Sequence, residues 1–188
     1  MMSGFDLRVV DVPGNARLLS PHVPLPPLND FRSAIAAALE EPLDGEPLTT
    51  LLRPNTRVAV VLDDFSLPVP PMSHDCRREM LEVVLSKIHQ AGIPTNRTTV
   101  LVANGLSRQW RPTELVEILG EQSQPIICHD AESQAQLARL GEEPEGPIEL
   151  NRAVVEADVV IHLNVVSLPL MAGLFGLVSG TAGYRTAR

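Results

Sequence analysis

Two periodicities of apolar residues follow one another in the middle of the chain. Residues 57–62 (RVAVVL) form a short, β-branched apolar run that ends in Asp63 and Asp64, which is typical of a buried strand with carboxylates at its carboxyl end. Over 75–89 the apolar residues recur every three or four positions, which predicts a helix, and a glycine and a proline soon after it provide stop signals. Residues 98–103 (TTVLVA) predict a second strand that ends in an Asn-Gly turn. This pattern predicts a strand–helix–strand unit with parallel strands, whose following loops leave the same edge of the sheet.

Shorter patterns on either side extend this unit into an alternation of strands and helices. Residues 5–10 (FDLRVV) alternate as in a strand, and Asp30 caps a predicted helix that stops before Pro42. After the unit, the pattern predicts helices over 113–119, 131–141 and 151–157, strands over 125–128, 148–150 and 159–166, and an acidic turn over 142–147. Strands that alternate with helices indicate an α/β fold with a mostly parallel sheet of about five strands flanked by helices, either doubly wound or three-layered.

One long uncharged stretch raises the question of a membrane span. Residues 159–178 contain no Asp, Glu, Lys or Arg, which is nominally enough to cross a bilayer. Yet His162, Asn164, Ser167 and Pro169 interrupt the stretch, and β-branched residues crowd its first half. A buried strand followed by a glycine-bearing loop explains it better than a membrane helix does.

Composition narrows the class of protein. The 188 residues suit one domain, with 1–28 as an N-terminal strand and proline-rich connection and 29–188 as the α/β domain. A formal net charge of -8, without any basic run, argues against a nucleic-acid partner. Two cysteines far apart in sequence and the lack of a secretory signal predict a reduced, cytoplasmic protein.

Polar residues at the predicted strand ends supply the candidate chemistry. Asp63 and Asp64 either offer carboxylate oxygens to a divalent metal or cap the following loop, which is the commoner role of such a pair. Asn104 begins an Asn-Gly turn, whose backbone would also come close to a bound anion. We expect His162 to be a hydrogen-bonded core residue, whereas His129, at a strand end, is the better functional candidate.

Several kinds of site are not predicted. Cys128 is adjacent to His129, so on a strand their side chains point to opposite faces and do not share a metal, and we predict no metal site. The glycines near the end of the chain match neither a dinucleotide fingerprint nor a phosphate loop. Ser107 and Ser179 lack the flanking glycines of a hydrolase nucleophile.

Four segments in a fixed order resemble one known family. They are VLDDFSLPVP at 61–70, HQAGIPTNRTTVLVANG at 89–105, HDAES at 129–133 and LNRAVVEADVVI at 150–161. Together they are similar to the N-terminal domain of the nickel-pincer lactate racemases, the LarA-like family, across most of the chain. The resemblance implies an α/β domain of an isomerase that normally continues beyond this length, so we expect the domain over 29–188 to be incomplete at its C-terminal end.

The positions that carry function in this family are changed here. The resemblance places an arginine that holds substrate or cofactor at Leu67 and one of two catalytic histidines at Ser107. The second histidine falls on Pro169 or Leu170, and the lysine that bears the nickel-pincer nucleotide falls near Ser179. Racemisation of an α-hydroxy acid by this route needs two acid–base groups on opposite faces of the carbon, and serine or leucine cannot replace imidazole at neutral pH.

The first hypothesis is therefore a degenerate domain that binds a small anion, such as a hydroxy acid, without a cofactor of its own and without racemising its ligand. The ligand candidates are Asp64, Ser66, Asn104, Ser107, Arg108 and His129. Arg108 lies where the family keeps an arginine, although the pattern fits a solvated arginine equally well. Two alternatives stay open. One is an active racemase-type isomerase that needs a missing domain or partner and the nickel-pincer cofactor, and the other is a structural or partner-binding domain.

The loops at 63–68, 104–108 and 167–173 follow strands that we predict to be parallel, so they should converge at one edge of the sheet. Leucines at 67, 106 and 170 would make the floor of this cleft apolar, beneath a polar rim. Such a pocket would suit a ligand with one anionic end and an apolar body better than it suits lactate.

Overall fold

The structure is a computed structural model that describes residues 2–3, 6–7, 9, 11, 13–17, 26–67, 75–166 and 173–187. The helices in these ranges are α1 (Phe31–Glu40), α2 (Leu48–Leu51), α3 (Cys76–Gln90), α4 (Pro112–Leu119), α5 (Arg152–Val155), α6 (Gly173–Thr181) and α7 (Tyr184–Ala187). The strands are β1 (Met2–Ser3), β2 (Asp6–Leu7), β3 (Val58–Asp63), β4 (Thr98–Ala103), β5 (Ile126–Cys128), β6 (Leu137–Glu143), β7 (Gly146–Asn151) and β8 (Val159–Leu163).

A four-stranded parallel sheet with the order β5-β4-β3-β8 forms the centre of the domain. β3 and β4 pair in register from Val58 opposite Thr98 to Asp63 opposite Ala103. All six residues of β3 are buried, because it lies inside the sheet and helices cover both faces. The predicted α/β class with a mostly parallel sheet flanked by helices is confirmed.

The two faces of the sheet are packed differently. On one face, the main apolar core joins β3 and β4 to α3 through Leu81, Val84 and Ile88, the helical positions that the sequence periodicity indicates. On the other face, small residues let α6 approach closely. A Cβ at Gly180 would lie 2.6 Å from both the Cβ and the carbonyl oxygen of Ala103, so only glycine fits there. α6 is thereby fixed against the end of β4.

Residues 131–141, predicted as a helix, are not helical, so that prediction is wrong. β6 pairs antiparallel with β7 in a hairpin, and the turn at 144–145 lies inside the predicted acidic turn. Gly146, which follows the turn, has a φ of 141° that favours glycine. The predicted strand at 148–150 belongs to this hairpin, so the central sheet has four strands and not about five.

Polar contacts distant in sequence explain why the hairpin forms. The Gln136 side chain accepts hydrogen bonds from the backbone N–H of Asp130 at 3.0 Å and from Nδ2 of Asn151 at 3.2 Å. The Gln136 carbonyl oxygen also accepts a bond from the N–H of Arg152 at 2.6 Å. Helix propensity at 131–137 is a weak local preference, and these tertiary contacts override it.

The uncharged stretch also differs from its prediction. β8 is an edge strand in which only Leu163 is fully buried, so the expectation of a strongly buried strand is wrong. The glycine-bearing segment at 173–181 is a helix and not a loop. Among the residues that the structure describes, no helix is both long enough and apolar enough to span a bilayer.

Candidate functional site

The carboxyl edge of the sheet, where β3, β4 and β8 end, brings the first two predicted loops side by side. Because β3 and β4 end in register, the loops at 64–67 and 104–108 leave the sheet at the same level. Most of the third predicted loop, 167–172, lies outside the described residues. Shortly before it, the backbone N–H of Val165 donates to Oδ2 of Asp63 over 2.8 Å, so the segment after β8 begins at this edge as well.

Asp64 is the best-connected side chain at the carboxyl edge, and it is only 4% exposed. Its carboxylate accepts hydrogen bonds from the backbone N–H and the hydroxyl of Ser66 and, at 2.9 Å, from Nε1 of Trp110. Burial opposes ionisation of Asp64, but the donors on Ser66, Trp110 and the nearby Ser107 outweigh it and lower the pKa of the carboxyl. Asp64 and Ser107 therefore lie together, as the parallel topology predicts.

An aromatic pair joins the two loops. The rings of Phe65 and Trp110 meet edge to face, with centroids 5.6 Å apart and planes at 84°. The guanidinium of Arg108 stacks on Trp110 at 3.7 Å from the ring centroid, and that of Arg77 lies 4.2 Å from the centroid of Phe65. The motif comparison missed Trp110, although it is the one tryptophan in the sequence and lies three residues after Ser107.

Arg77 is a second residue that the sequence analysis did not single out. Its side chain is buried and forms an ion pair with Asp75 at 2.6 Å, while its Nη1 lies 3.4 and 3.5 Å from the backbone carbonyl oxygens of Asp63 and Asp64. These contacts tie the start of α3 to the end of β3. Arg77 therefore holds the first loop in place, and its charge is already matched by Asp75.

Asn104 lies at the end of β4 with 2% of its surface exposed, and neither its amide nitrogen nor its amide oxygen has a hydrogen-bond partner among the residues that the structure describes. The backbone beside it is fixed, because the N–H of Gly105 donates to the carbonyl oxygen of Gly180 over 2.9 Å. A buried polar group without a partner costs about 1–3 kcal/mol, so such groups in native proteins call for an explanation.

Arg108 is half exposed and forms an ion pair with Glu114 of α4, with 2.9 Å between Nη1 and Oε2. That side-chain bond and the backbone N–H of Arg111 lower the pKa of Glu114 to about 2. The described contacts of Arg108 use Nη1 and the flat face of the guanidinium. Its Nε and Nη2 donors therefore have no hydrogen bond within the described part of the chain, which leaves them for an anion.

His129, predicted as a ligand residue, has no exposed surface. Its Nε2 lies 2.9 Å from the carbonyl oxygen of Ala182 and its Nδ1 lies 3.0 Å from Nδ2 of Asn151. An oxygen acceptor on one side and an amide donor on the other select the neutral tautomer with the proton on Nε2. Burial lowers the pKa of His129, which agrees with this neutral form. The structure thus places His129 in the interior, apart from Asp64 and Ser107.

His162 is only 13% exposed, and its Nε2 lies 3.4 Å from Oδ1 of Asp63. This is a longer contact than a standard hydrogen bond, and Oδ1 of Asp63 has no other partner in the described part of the chain. His162 is half-buried in an edge strand and faces this carboxylate, so the expectation of a hydrogen-bonded core histidine is met only in part. Within the described ranges no three or more His, Cys, Asp or Glu residues are grouped as a metal site would require.

The predicted apolar floor is not formed as expected, because the side chain of Leu106 is 55% exposed. Leu67 is half-buried, and Leu170 lies outside the described residues. Leu106 and Ser107 instead border a cavity of about 240 Å³ whose opposite wall includes Asp130 and Tyr184. The second loop therefore presents one side to Asp64 and another to this cavity.

Comparison with known proteins agrees with this architecture. The family model described as the lactate racemase N-terminal domain matches residues 7–187. Curated lactate racemases of Lactiplantibacillus plantarum and Thermoanaerobacterium thermosaccharolyticum are each 25% identical, over 163 and 146 residues. The matches cover 82% and 76% of this chain but 37% and 33% of the relatives, so the chain spans less than two-fifths of their length.

Solved structures share the fold. The lactate racemase apoprotein of Thermoanaerobacterium thermosaccharolyticum superposes with a TM-score of 0.66 at 21% identity, covering 84% of this chain and 38% of that one. A Thermotoga maritima protein superposes with a TM-score of 0.59 at 18% identity, covering 84% and 39%. With a family model that matches nearly the whole chain, the chain belongs to the lactate racemase N-terminal domain family.

Proposed function

We propose that this domain binds a small 2-hydroxy acid at the carboxyl edge of the sheet and does not racemise it on its own. The observation that carries the proposal is the meeting of the first two loops beside Asn104, whose buried amide has no partner. An amide offers one donor face and one acceptor face, which complements a carboxylate beside a hydroxyl. A ligand that satisfies this amide recovers the free energy that its burial costs.

The other groups of the site suit the same ligand. Ser66 and Ser107 bring hydroxyl groups to the first two loops, and Arg108 brings a positive charge with unused donors. A guanidinium is a strong partner for a carboxylate because its donors match both oxygens.

Racemisation needs acid–base groups as well as ligand binding. Ser107 occupies the position of one family histidine, and a serine hydroxyl does not exchange protons near neutral pH as imidazole does. The second histidine position, Pro169 or Leu170, lies outside the described residues, and neither residue type can carry a proton. Neither of the two family positions therefore supplies an acid–base group to a carbon acid held at this edge.

An active racemase-type isomerase is the alternative, and its cofactor provides a test of fit. The sequence contains one lysine, Lys87, in the last turn of α3, where it forms an ion pair with Glu40 at 2.5 Å. α3 starts beside the end of β3 and ends before β4 begins, so Lys87 lies toward the opposite edge of the sheet. The residues at the carboxyl edge therefore do not fit a lysine-bound pincer nucleotide.

Calorimetric titration with D-lactate, L-lactate and mandelate tests the proposal, with chiral chromatography of the recovered acids. We expect binding of at least one acid, no racemisation, and a loss of roughly tenfold to a hundredfold in affinity for Arg108→Gln, because a charge-assisted bond disappears. Arg111→Ala is the matched control, since that arginine also pairs with Glu114 but its side chain is 80% exposed. Absence of heat with all three acids, or racemisation without any cofactor, would contradict the proposal.

A partner-binding role is the second candidate, and α6 favours it. This helix has no charged residue, and Leu174 and Phe175 on its outer side are 75% and 60% exposed. Helices that are apolar on all sides are normally covered. The occupant we propose is a further domain such as the part of the curated relatives beyond the match, which is more than half of their length.

Native mass spectrometry of this chain mixed with that part of the Lactiplantibacillus plantarum relative tests the partner-binding role. We expect a complex that Phe175→Glu weakens and that Leu43→Glu, at another exposed leucine, leaves intact. A monomer at every mixing ratio would rule the complex out.

A further inference from the structure

Residues 108–111 connect the second loop to α4 and cross the first loop on the way. We name this segment, from Arg108 to Arg111, the strap. Within the strap, the indole Nε1 of Trp110 donates a hydrogen bond to Oδ1 of Asp64 over 2.9 Å, although the two residues are 46 positions apart in sequence. Gln109 donates from Nε2 to the carbonyl oxygen of His129 over 2.7 Å. The strap is therefore fastened at the ends of two strands, β3 on one side and β5 on the other.

The strap occupies groups that the proposed site needs. Oδ1 of Asp64 accepts both the indole N–H and the backbone N–H of Ser66, while Oδ2 accepts the Ser66 hydroxyl. One face of the Arg108 guanidinium is covered by the indole ring. In this arrangement Trp110 occupies an acceptor of Asp64 and covers one face of Arg108, while Nε and Nη2 at the guanidinium edge stay open, so a ligand competes with the indole for Asp64.

The strap is held in a way that permits opening. The described hydrogen bonds that fasten it to the first loop and to His129 come from side chains, and the side chains of Arg108 and Gln109 face solvent in part. Segments held by a few side-chain contacts open at a lower free energy than segments inside a sheet.

We infer that the strap is an autoinhibitory contact in which Trp110 closes the site and a 2-hydroxy acid replaces it. This inference rests on the proposed function and deepens it. The ligand hydroxyl takes the place of the indole N–H as donor to Asp64, and the ligand carboxylate meets the donors of Arg108. A carboxylic acid without the hydroxyl, such as propionate, cannot offer Asp64 a donor and does not displace Trp110.

Because Trp110 is the one tryptophan of the chain, its fluorescence reports on the strap without any label. The experiment follows emission and acrylamide quenching of the full chain during titration with D-lactate, L-lactate and propionate. We expect the hydroxy acid that binds to increase quenching of Trp110, and propionate to leave it unchanged.

Calorimetry on variants completes the test. Trp110→Ala removes both the donor and the ring, so we expect its affinity for the hydroxy acid to rise about tenfold or more, because the competent state no longer competes with the closed one. Trp110→Phe keeps a ring against Phe65 but removes the N–H, so its affinity should lie between those of the wild type and Trp110→Ala. Val116→Ala, on the exposed side of α4, is the control and should bind as the wild type does.

The possible outcomes distinguish a failure of the strap inference from a failure of the proposed function. Equal affinities in the wild type and both Trp110 variants, with unchanged quenching, overturn the strap and leave the proposed function standing. Binding that is detectable only in the variants supports the strap strongly. No heat with the wild type or either variant overturns the proposed function, and the strap with it. Thermal melting shows which variants are folded, and Trp110→Phe carries the test if Trp110→Ala is not.

Discussion

Asp64 and His129 are both buried polar side chains at the carboxyl ends of parallel strands, yet they have different surroundings. The two ring nitrogens of His129 each meet a fixed partner, on Ala182 and on Asn151. Asp64 takes its partners from two loops, and the amide at the end of the strand beside it, on Asn104, meets none.

Whether a buried polar group has hydrogen-bond partners distinguishes a structural residue from a ligand-binding candidate better than its burial does. A buried polar network in which every atom is satisfied rigidifies a core, and His129 joins the hairpin, β5 and the segment before α7 in this way. A buried group without a partner lowers stability, and it persists where a ligand or a water supplies the missing bond. On this argument the His129 network stabilises the fold, and the Asp64 side of the sheet is where we propose that a ligand binds.

The largest expected effect on stability comes from breaking the hydrogen-bond network of His129. His129→Ala leaves a cavity and two polar groups without partners, and we expect a loss of about 3 kcal/mol or more in the free energy of unfolding, measured with urea. His89→Ala, at an exposed position of α3, is the control and should change little. A loss below about 1 kcal/mol in the His129 variant would mean that this network does not stabilise the fold.

Acidification should also weaken the contribution of the His129 network to stability. Since burial lowers the pKa of His129 in the folded state, the unfolded chain takes up a proton that the folded chain refuses. The network's contribution is therefore fully present above the unfolded value of about 6.5 and falls as pH drops below it, by at most about 1.4 kcal/mol per pH unit. Urea unfolding at about pH 7.5 and about pH 5.5 measures this loss, which should be smaller in His129→Gln. An identical pH dependence in both proteins would exclude His129 as its source.

Asp64→Asn should have a smaller effect on stability, about 1 kcal/mol, because several neutral donors remain around the amide. The carboxylate has a lowered pKa, so its contribution is present above the unfolded value of about 3.9 and is lost as pH falls through the folded pKa. The variant should loosen the strap, which acrylamide quenching of Trp110 would report. Wild-type quenching in Asp64→Asn would show that the negative charge of Asp64 is not needed to hold the indole.

Much of the fold could be predicted from local pattern. The apolar run at 57–62 and the helical spacing at 75–89 lead to β3 and α3 with errors of one residue at the boundaries, because β3 is buried on both faces and α3 buries one apolar stripe. The hairpin β6–β7 could not be found in this way. The sequence predicts a strand at 148–150, inside β7, but β6 has no alternation of apolar and polar residues, and the contacts between Gln136 and residues near 151 are distant in sequence.

At the candidate site, too, local pattern does not reveal contacts between residues that are distant in sequence. Parallel strands imply that the loops at 64–67 and 104–108 meet, and they do, through Asp64 and Ser107. A strand end, however, does not reveal what covers it, and His129 is covered by the segment at 182, which is distant in sequence. Trp110 lies beyond the loop that the family motif defines, so a comparison restricted to the motif passed over it.

The smallest effect on stability, and the sharpest contrast with His129, is expected for Asn104→Ala. Removing an amide without partners takes away a cost as well as some packing, so the free energy of unfolding should stay within about 1 kcal/mol of the wild type or rise. Affinity for the hydroxy acid should nevertheless fall, because the ligand loses its hydrogen bonds to the Asn104 amide. Urea unfolding and calorimetry on the same preparation measure the two quantities together. If Asn104→Ala were as destabilising as His129→Ala, the amide would have a structural partner after all, and the distinction between the two centres would fail.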